Sequence, residues 1–216
     1  MADSALLPAD MSLMAKSQHE VQKRCRRQQE LRGEDAAEGS IERALTGLRV
    51  GSAVAARAIS RMCADREMCA ECYRQGALAV VVNVLAAGGD ADVALPCCRA
   101  LSRLCAGAAE AQTEAVITRG VLPPLLARLD GCVDDVMVTA CCHALAHVAT
   151  GVGAAQRREL ATSAGALAVL VAQIQSWEEG GPTRAACCTA LRSLTRDSVR
   201  LQDAARAAGA EAGWLL

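Results

Sequence analysis

Apolar residues are concentrated in two kinds of segment that alternate along the chain. One kind is apolar almost throughout, as in "ALAVVVNVL" from Ala77 and "ALAVLVAQI" from Ala166. The other kind, such as "CCRALSRLC" from Cys97, keeps apolar residues at steps of three and four and places polar residues between them. These patterns predict short buried helices followed by longer helices with one buried face. Ala, Leu and Val supply most apolar positions, which favours closely packed helices over a sheet.

The pattern repeats along the chain at a fixed spacing. "ISRMCA" (59–64) matches "LSRLCA" (101–106), and the same frame returns as "CCHALAHVA" (141–149) and "CCTALRSLT" (187–195). A glycine precedes each apolar helix, and these glycines (Gly76, Gly120, Gly165 and Gly209) are spaced at 44, 45 and 44 residues. A period of this length lies in the armadillo and HEAT range and outside that of tetratricopeptide or ankyrin repeats.

Each period resembles an armadillo repeat: a short helix ending in glycine, an apolar second helix and a longer third helix. Glycine suits that first turn because it accepts left-handed backbone angles. The acidic residues fourteen positions later (Asp90, Asp134 and Glu179) are expected to cap the third helix or meet its dipole, and Pro182 suits a first turn.

The resemblance covers residues 41–216 and implies an all-α, right-handed superhelical solenoid of about four repeats. The first and last repeats are incomplete, with units at about 41–76, 77–120, 121–165 and 166–209 and a partial unit at 210–216. Trp214, Leu215 and Leu216 are expected at an open end, because a solenoid normally closes with a polar cap. Either the chain is a fragment or that end meets a partner.

Residues 1–40 form a separate predicted region. The segment 10–32 is predicted to be a basic helix, and 33–40 a linker. One interpretation is a basic arm that contacts nucleic acid, an acidic surface such as that of tubulin, or another chain. The favoured interpretation is a helix that covers the open first repeat.

The twelve cysteines are the first candidates for chemistry. The start of the chain has no apolar run of signal-peptide length, and no stretch is long enough to cross a membrane. We therefore expect a soluble cytoplasmic protein with reduced thiols, and association with the cytoskeleton or a cilium stays open. The net charge of -1 gives no general attraction to nucleic acid or to membranes, so neither partner is expected.

Most of these cysteines occupy repeat positions that favour packing over catalysis. Adjacent pairs stand at 97/98, 141/142 and 187/188, where the first unit has Ala55 and Ala56, so cysteine is expected as a small core residue. Equivalent helices of neighbouring repeats should lie about 8–10 Å apart, too far for a disulfide without movement.

Other groups of residues in the sequence are also incomplete as metal sites or catalytic sites. Cys69 with Cys72, or His143 with His147, supplies only half of a tetrahedral metal site. The usual hydrolase, phosphate-binding and dinucleotide motifs are absent from the sequence. We predict no enzyme activity, no small-molecule substrate, no cofactor and no metal.

Two positions on the third helix carry the functional prediction. In importin-alpha-like armadillo proteins these positions hold Trp and Asn, which line a concave groove for basic peptides. Here the Trp positions are Arg57, Arg99, His143 and Thr189, and the Asn positions are Arg61, Arg103, His147 and Ser193.

The resemblance to beta-catenin-like proteins, whose groove is basic, implies an adaptor that binds extended acidic segments, because arginine offers a planar fork to carboxylates. Two alternatives stay open. One is that these arginines are solvated helix faces. The other is an architectural subunit of a larger cytoskeletal or ciliary complex, docked through its ends and outer faces.

Overall fold

The computed structural model describes residues 40–106, 120–150 and 165–215. The predicted N-terminal basic helix, its linker up to residue 39, and Leu216 lie outside the described residues. The repeats belong to a compact unit that begins at Ile41. Every regular element in the described ranges is helical, as the apolar pattern predicts.

The helices of the described residues are as follows in chain order. They are α1 (Ile41–Arg49), α2 (Ala53–Met62), α3 (Arg66–Arg74), α4 (Ala77–Ala86), α5 (Ala91–Cys105), α6 (Leu122–Leu129), α7 (Asp135–Thr150), α8 (Ala166–Ser176), α9 (Pro182–Thr195), α10 (Val199–Ala207) and α11 (Ala212–Leu215).

The helices pack as two adjoining layers. The third helices α2, α5, α7 and α9 contact one another in succession, and the second helices α1, α4, α6 and α8 do the same. The core lies between the layers, and its largest fully buried side chains are Leu48, Ile59, Leu85, Leu101, Leu125, Leu129, Leu145, Leu170, Ile174, Leu191 and Leu194. Each such side chain contributes about 1.5–3 kcal/mol through burial. The core therefore runs continuously from repeat to repeat.

The repeated glycines have the backbone conformation that the sequence predicts. The φ angles are 82° at Gly76, 73° at Gly120, 71° at Gly165 and 101° at Gly209. These values lie in the left-handed region, where a side chain beyond Cα is disfavoured. The turn into each second helix thus explains the period of the glycines.

The acidic residues before the third helices behave differently from one another. Asp134 is a true cap, because its Oδ1 accepts hydrogen bonds from the amides of Val136 at 2.9 Å and Met137 at 3.0 Å. Asp90 occupies the N-cap position of α5 without a side-chain hydrogen bond. Glu179 instead lies 3.4 Å from the guanidinium of Arg184, and Gly181 precedes α9. Pro182 begins α9, as predicted.

Long polar side chains on the second helices connect neighbouring repeats. Arg128 of α6 donates a hydrogen bond through Nη2 to the carbonyl oxygen of Gly89, in the preceding repeat. One repeat later, Nε2 of Gln173 donates to the carbonyl oxygens of Leu129 at 2.6 Å and Cys132 at 3.2 Å. We call these interactions the backward clamps, because in each the later repeat supplies the donor and the earlier repeat the acceptor.

The C-terminal end differs from the sequence-based expectation. Trp214 and Leu215 were expected to be exposed at an open end, yet their residues are only 7% and 9% exposed. Helix α11 packs against α9, and the guanidinium carbon of Arg184 lies 5.4 Å from the centroid of the Trp214 ring. A cation over an indole face is stabilising, and indole burial removes a large apolar area from water. These two side chains are therefore part of the core.

Candidate functional site

The candidate site is built on the layer of third helices. Its first row contains Arg57 on α2, Arg99 on α5, His143 on α7 and Thr189 on α9, and all four are exposed. Each has a buried alanine directly after it in the chain (Ala58, Ala100, Ala144 and Ala190). Because the four helices contact one another in order, the first row crosses the layer in register on its solvent side.

The second row becomes progressively buried towards the C-terminus. Arg61 and Arg103 are exposed, His147 is half-buried, and Ser193 is buried. Ser193 was predicted to line the groove, but its burial in α9 removes it from the accessible surface. Both rows are therefore exposed together on α2 and α5, whereas α7 exposes His143 fully and His147 only in part.

The arginines differ in how they are bonded. Arg103 donates through Nη1 to the carbonyl oxygen of Ser60, on the preceding third helix. Within the described residues, Arg57 and Arg99 make no hydrogen bond or ion pair. A guanidinium group has five N–H donors, so even Arg103 keeps donors for another acceptor.

His147 adds less charge than the sequence suggests. The pKa of His147 lies below its ordinary value of 6.5, mainly because the side chain is partly buried and also because His143 is close to it. Removing the imidazolium of His147 from water and placing it near the ring of His143 both disfavour its charged form. Positive charge at neutral pH is therefore concentrated on the arginines of α2 and α5.

A cleft of about 530 Å³ adjoins this basic region. It lies between the end of α2, α3 and the end of α5, and its lining includes Arg66, Cys69, Tyr73, Arg74 and Arg103. Arg74 pairs with Glu71, so part of its charge is neutralised locally. The cleft brings together residues of two repeats, and Arg103 connects it to the second row.

The cysteine pairs of the third helices meet across repeats. The sulfur atoms of Cys98 and Cys141 are 3.6 Å apart, and those of Cys142 and Cys187 are 3.5 Å apart. All four residues are buried, as expected for core cysteines. The expected separation of about 8–10 Å concerned the helices, whereas the side chains of adjacent helices meet between them, so the sulfur atoms lie much closer together.

Most of the buried thiols are held in their protonated form. Burial raises the pKa of Cys97 to about 12, and it has the same effect on Cys105. The contact with Cys187 and burial together raise the pKa of Cys142, while the hydrogen bond from Cys142 lowers the pKa of Cys187. Cys187 is thus the member of that pair with more thiolate character.

The described part of the chain lacks two further kinds of feature. No three side chains of His, Cys, Asp or Glu converge there as ligands for a metal ion. None of the described helices has the length and apolar character needed to cross a membrane.

No protein-family model matches the sequence, and no curated protein matches it. Solved structures do match. A designed armadillo repeat protein is 23% identical with a TM-score of 0.67, and the match covers 82% of this chain and 74% of that one. The chain has the armadillo repeat fold. A second designed armadillo repeat protein, solved in complex with the peptide (KR)4, is 20% identical with a TM-score of 0.67 and coverage of 82% and 73%.

A crystallised engineered protein matches as well, at 22% identity, a TM-score of 0.68 and coverage of 81% and 71%. At such identities the likeness concerns the armadillo fold alone. The predicted all-α armadillo fold class is confirmed. The count of about four repeats stays a prediction.

Sequence reasoning on the armadillo frame found the exposed first row, because residues four apart on a helix share a face. It missed the cleft, whose walls come from different repeats. The sequence does contain basic residues that point to this cleft, namely Arg66 and Arg74 at the two ends of α3.

Proposed function

We propose that the protein is a non-catalytic adaptor whose third-helix surface binds extended acidic segments of partner proteins. The observation that supports this proposal most strongly is the exposure of Arg57 and Arg99 in register on contacting helices, without an acidic partner in the described residues. Arginine presents a planar pair of donors that matches a carboxylate. An arginine that keeps its donors unpaired beside another arginine favours a negatively charged ligand.

The relatives offer a contrast in charge. A designed armadillo repeat protein binds (KR)4, a peptide of alternating lysine and arginine. In this chain, positions that hold Trp and Asn in importin-alpha-like proteins hold arginine on α2 and α5. These arginines repel a peptide of the same charge, so we expect this chain to prefer acidic peptides to basic ones.

We expect binding to be concentrated on the N-terminal half of the surface. Arg57, Arg61, Arg99 and Arg103 all lie on α2 and α5, and the basic cleft adjoins them. Exposed charge pairs contribute about 0.2–1 kcal/mol each, so the partner must add apolar contacts to reach useful affinity. Tyr73 and Cys69 offer half-buried apolar surface in the cleft.

The experiment is a fluorescence-anisotropy titration of the full chain with two labelled peptides of equal length, one rich in glutamate and one rich in lysine. The double variant Arg57→Glu/Arg99→Glu should lose binding of the acidic peptide at least tenfold, which corresponds to about 1.4 kcal/mol. The matched control is Arg196→Glu/Arg200→Glu, which makes the same charge change at exposed positions outside the rows. Affinity should also fall as salt rises.

Equal losses in the two double variants would show that overall charge, and not the third-helix surface, attracts the peptide. Preference for the lysine-rich peptide would contradict the proposal directly. Circular dichroism of each variant verifies that the helices remain folded.

One observation favours the alternative of an architectural subunit docked through its outer surface. Val50 and Val133 are 82% and 89% exposed, and both lie in the turn between a second and a third helix. Apolar side chains repeated at the same edge favour contact with another protein. Co-purification of partners with the variant Val50→Ser/Val133→Ser distinguishes docking through this edge from binding on the third-helix surface. Loss of partners from this variant, but not from Arg57→Glu/Arg99→Glu, supports docking through the edge.

A further inference from the structure

The paired cysteines follow a register that is visible only in three dimensions. The second cysteine of one pair meets the first cysteine of the next: Cys98 contacts Cys141, and Cys142 contacts Cys187. Helix α7 therefore contacts one sulfur of α5 and one of α9 through two different residues. The two contacts do not compete for the same thiol.

We propose that Cys98–Cys141 and Cys142–Cys187 are sites of reversible oxidation by hydroperoxides, at which disulfides join α5, α7 and α9. This inference does not rest on the acidic-segment proposal. It rests on the two sulfur–sulfur contacts and on the alternation that lets both bonds form in one molecule.

Forming the two disulfides requires little movement of the helices. A disulfide bond is about 2.05 Å long, so each pair must approach by roughly 1.5 Å. A cysteine side chain has a single rotatable bond before sulfur, and packed helices shift by about 1–2 Å in ordinary conformational changes. Cys97 and Cys105 are also buried but have no sulfur neighbour of this kind among the described residues.

The reaction balances with one hydroperoxide for each bond. The thiolate sulfur of Cys187 attacks one oxygen of hydrogen peroxide, the O–O bond breaks, and the departing hydroxide takes a proton to become water. The sulfur of Cys142 then attacks the resulting sulfenic acid, forming the S–S bond and expelling hydroxide, which takes the second thiol proton. Two sulfur atoms lose two electrons in total, and the peroxide gains them as it becomes two waters.

The order of attack follows from the hydrogen bond within the pair. The thiol of Cys142 donates to the sulfur of Cys187, which stabilises the thiolate of Cys187 and lowers its pKa. Cys142 then lies within contact distance of the sulfenic acid and resolves it. In the other pair, either sulfur can be the donor.

Burial sets the rate of this oxidation. All four residues have no exposed surface. Peroxide therefore reaches them only when neighbouring repeats separate locally, and the bond forms when they close again. We expect oxidation to accelerate in urea concentrations too low to unfold the chain.

The test uses the full chain, reduced, freed of reductant and treated with hydrogen peroxide in native buffer. Remaining thiols are then alkylated under denaturing conditions, and the cross-linked peptides are identified by mass spectrometry. We expect Cys98–Cys141 and Cys142–Cys187 as the main cross-links, both reversed by dithiothreitol. The oxidised chain should unfold at a higher urea concentration, because the bonds close loops of 43 and 45 residues in the unfolded chain.

Three single variants make the assignment specific. Cys141→Ala should abolish only the first cross-link and Cys187→Ala only the second, whereas Cys97→Ala should leave both. Alanine is the suitable replacement because Ala55 and Ala56 occupy the equivalent positions in the first unit. Dominant cross-links between other cysteines would overturn the proposal. So would full alkylation of these four thiols at a peroxide dose that oxidises half-exposed Cys69.

Discussion

Gln173 is the residue at which a substitution gives the sharpest test of how the repeats are joined. Its residue is 5% exposed, and its amide group makes three hydrogen bonds. Nε2 donates to the carbonyl oxygens of Leu129 and Cys132, and Oε1 accepts from the indole Nε1 of Trp177 at 2.9 Å. We expect Gln173→Ala to destabilise the fold because all three are lost together.

The size of the destabilisation depends on which hydrogen bonds the former partners of Gln173 keep in the variant. The carbonyl oxygen of Leu129 keeps a hydrogen bond from the amide of Cys132 at 3.2 Å, and the half-buried indole of Trp177 is within reach of water. The main residual cost falls on the carbonyl of Cys132. With about 0.5–1.5 kcal/mol for each lost hydrogen bond, the free energy of unfolding should fall by about 2–4 kcal/mol. That is a large share of the roughly 5–15 kcal/mol typical of a domain.

The assay is urea unfolding followed by far-ultraviolet circular dichroism, with Gln175→Ala as the matched control. Gln175 is on the same helix but exposed, so its replacement should change stability by about 0.5 kcal/mol at most. Gln173→Glu keeps the shape but presents an acceptor to two carbonyl oxygens, and it should be at least as damaging at neutral pH. If Gln173→Ala unfolds at the same urea concentration as the control, the backward clamp of Gln173 contributes nothing to stability.

Three further predictions concern single residues. Asp134→Ala should cost about 1 kcal/mol in urea unfolding, because it removes a helix cap, whereas Asp90→Ala should cost only a few tenths because Asp90 makes no capping hydrogen bond. Because the pKa of His147 is lowered in the folded chain, the unfolded chain binds more protons near and below pH 6.5. The free energy of unfolding should therefore fall as the pH is lowered through that range. The variant His147→Gln should make the midpoint of urea unfolding less dependent on pH. Gly165→Ala should lower the melting temperature through about 1 kcal/mol of backbone strain, and Gly213→Ala, within helical α11, should not.

The sequence predicts the repeat frame well because each landmark has a local physical cause. A left-handed turn requires glycine at positions such as Gly76, and a helix face requires residues four apart, as with Arg57 and Arg61. These requirements act within a few residues of the chain. They are therefore readable without knowledge of the neighbouring repeat.

Features that depend on two repeats could not be read in the same way. The burial of Ser193, the hydrogen bond from Arg103 to Ser60, and the contact between Cys98 and Cys141 are set by how adjacent helices are rotated and spaced. Trp214 shows the same limit. Its burial depends on α11 packing against α9 and on Arg184 above the indole ring.

The direction of the backward clamps has a consequence for synthesis on the ribosome. The clamp donors Arg128 and Gln173 reach back to carbonyl oxygens that lie 39 to 44 residues earlier in the chain, and Arg103 reaches back 43 residues to Ser60 in the same direction. Chains emerge from the amino end, and repeats fold by adding to neighbours that are already formed. Each of these acceptors thus leaves the exit tunnel before its donor. A nascent chain never has to hold one of these donors without its acceptor, which favours growth of the solenoid in the order in which it is translated.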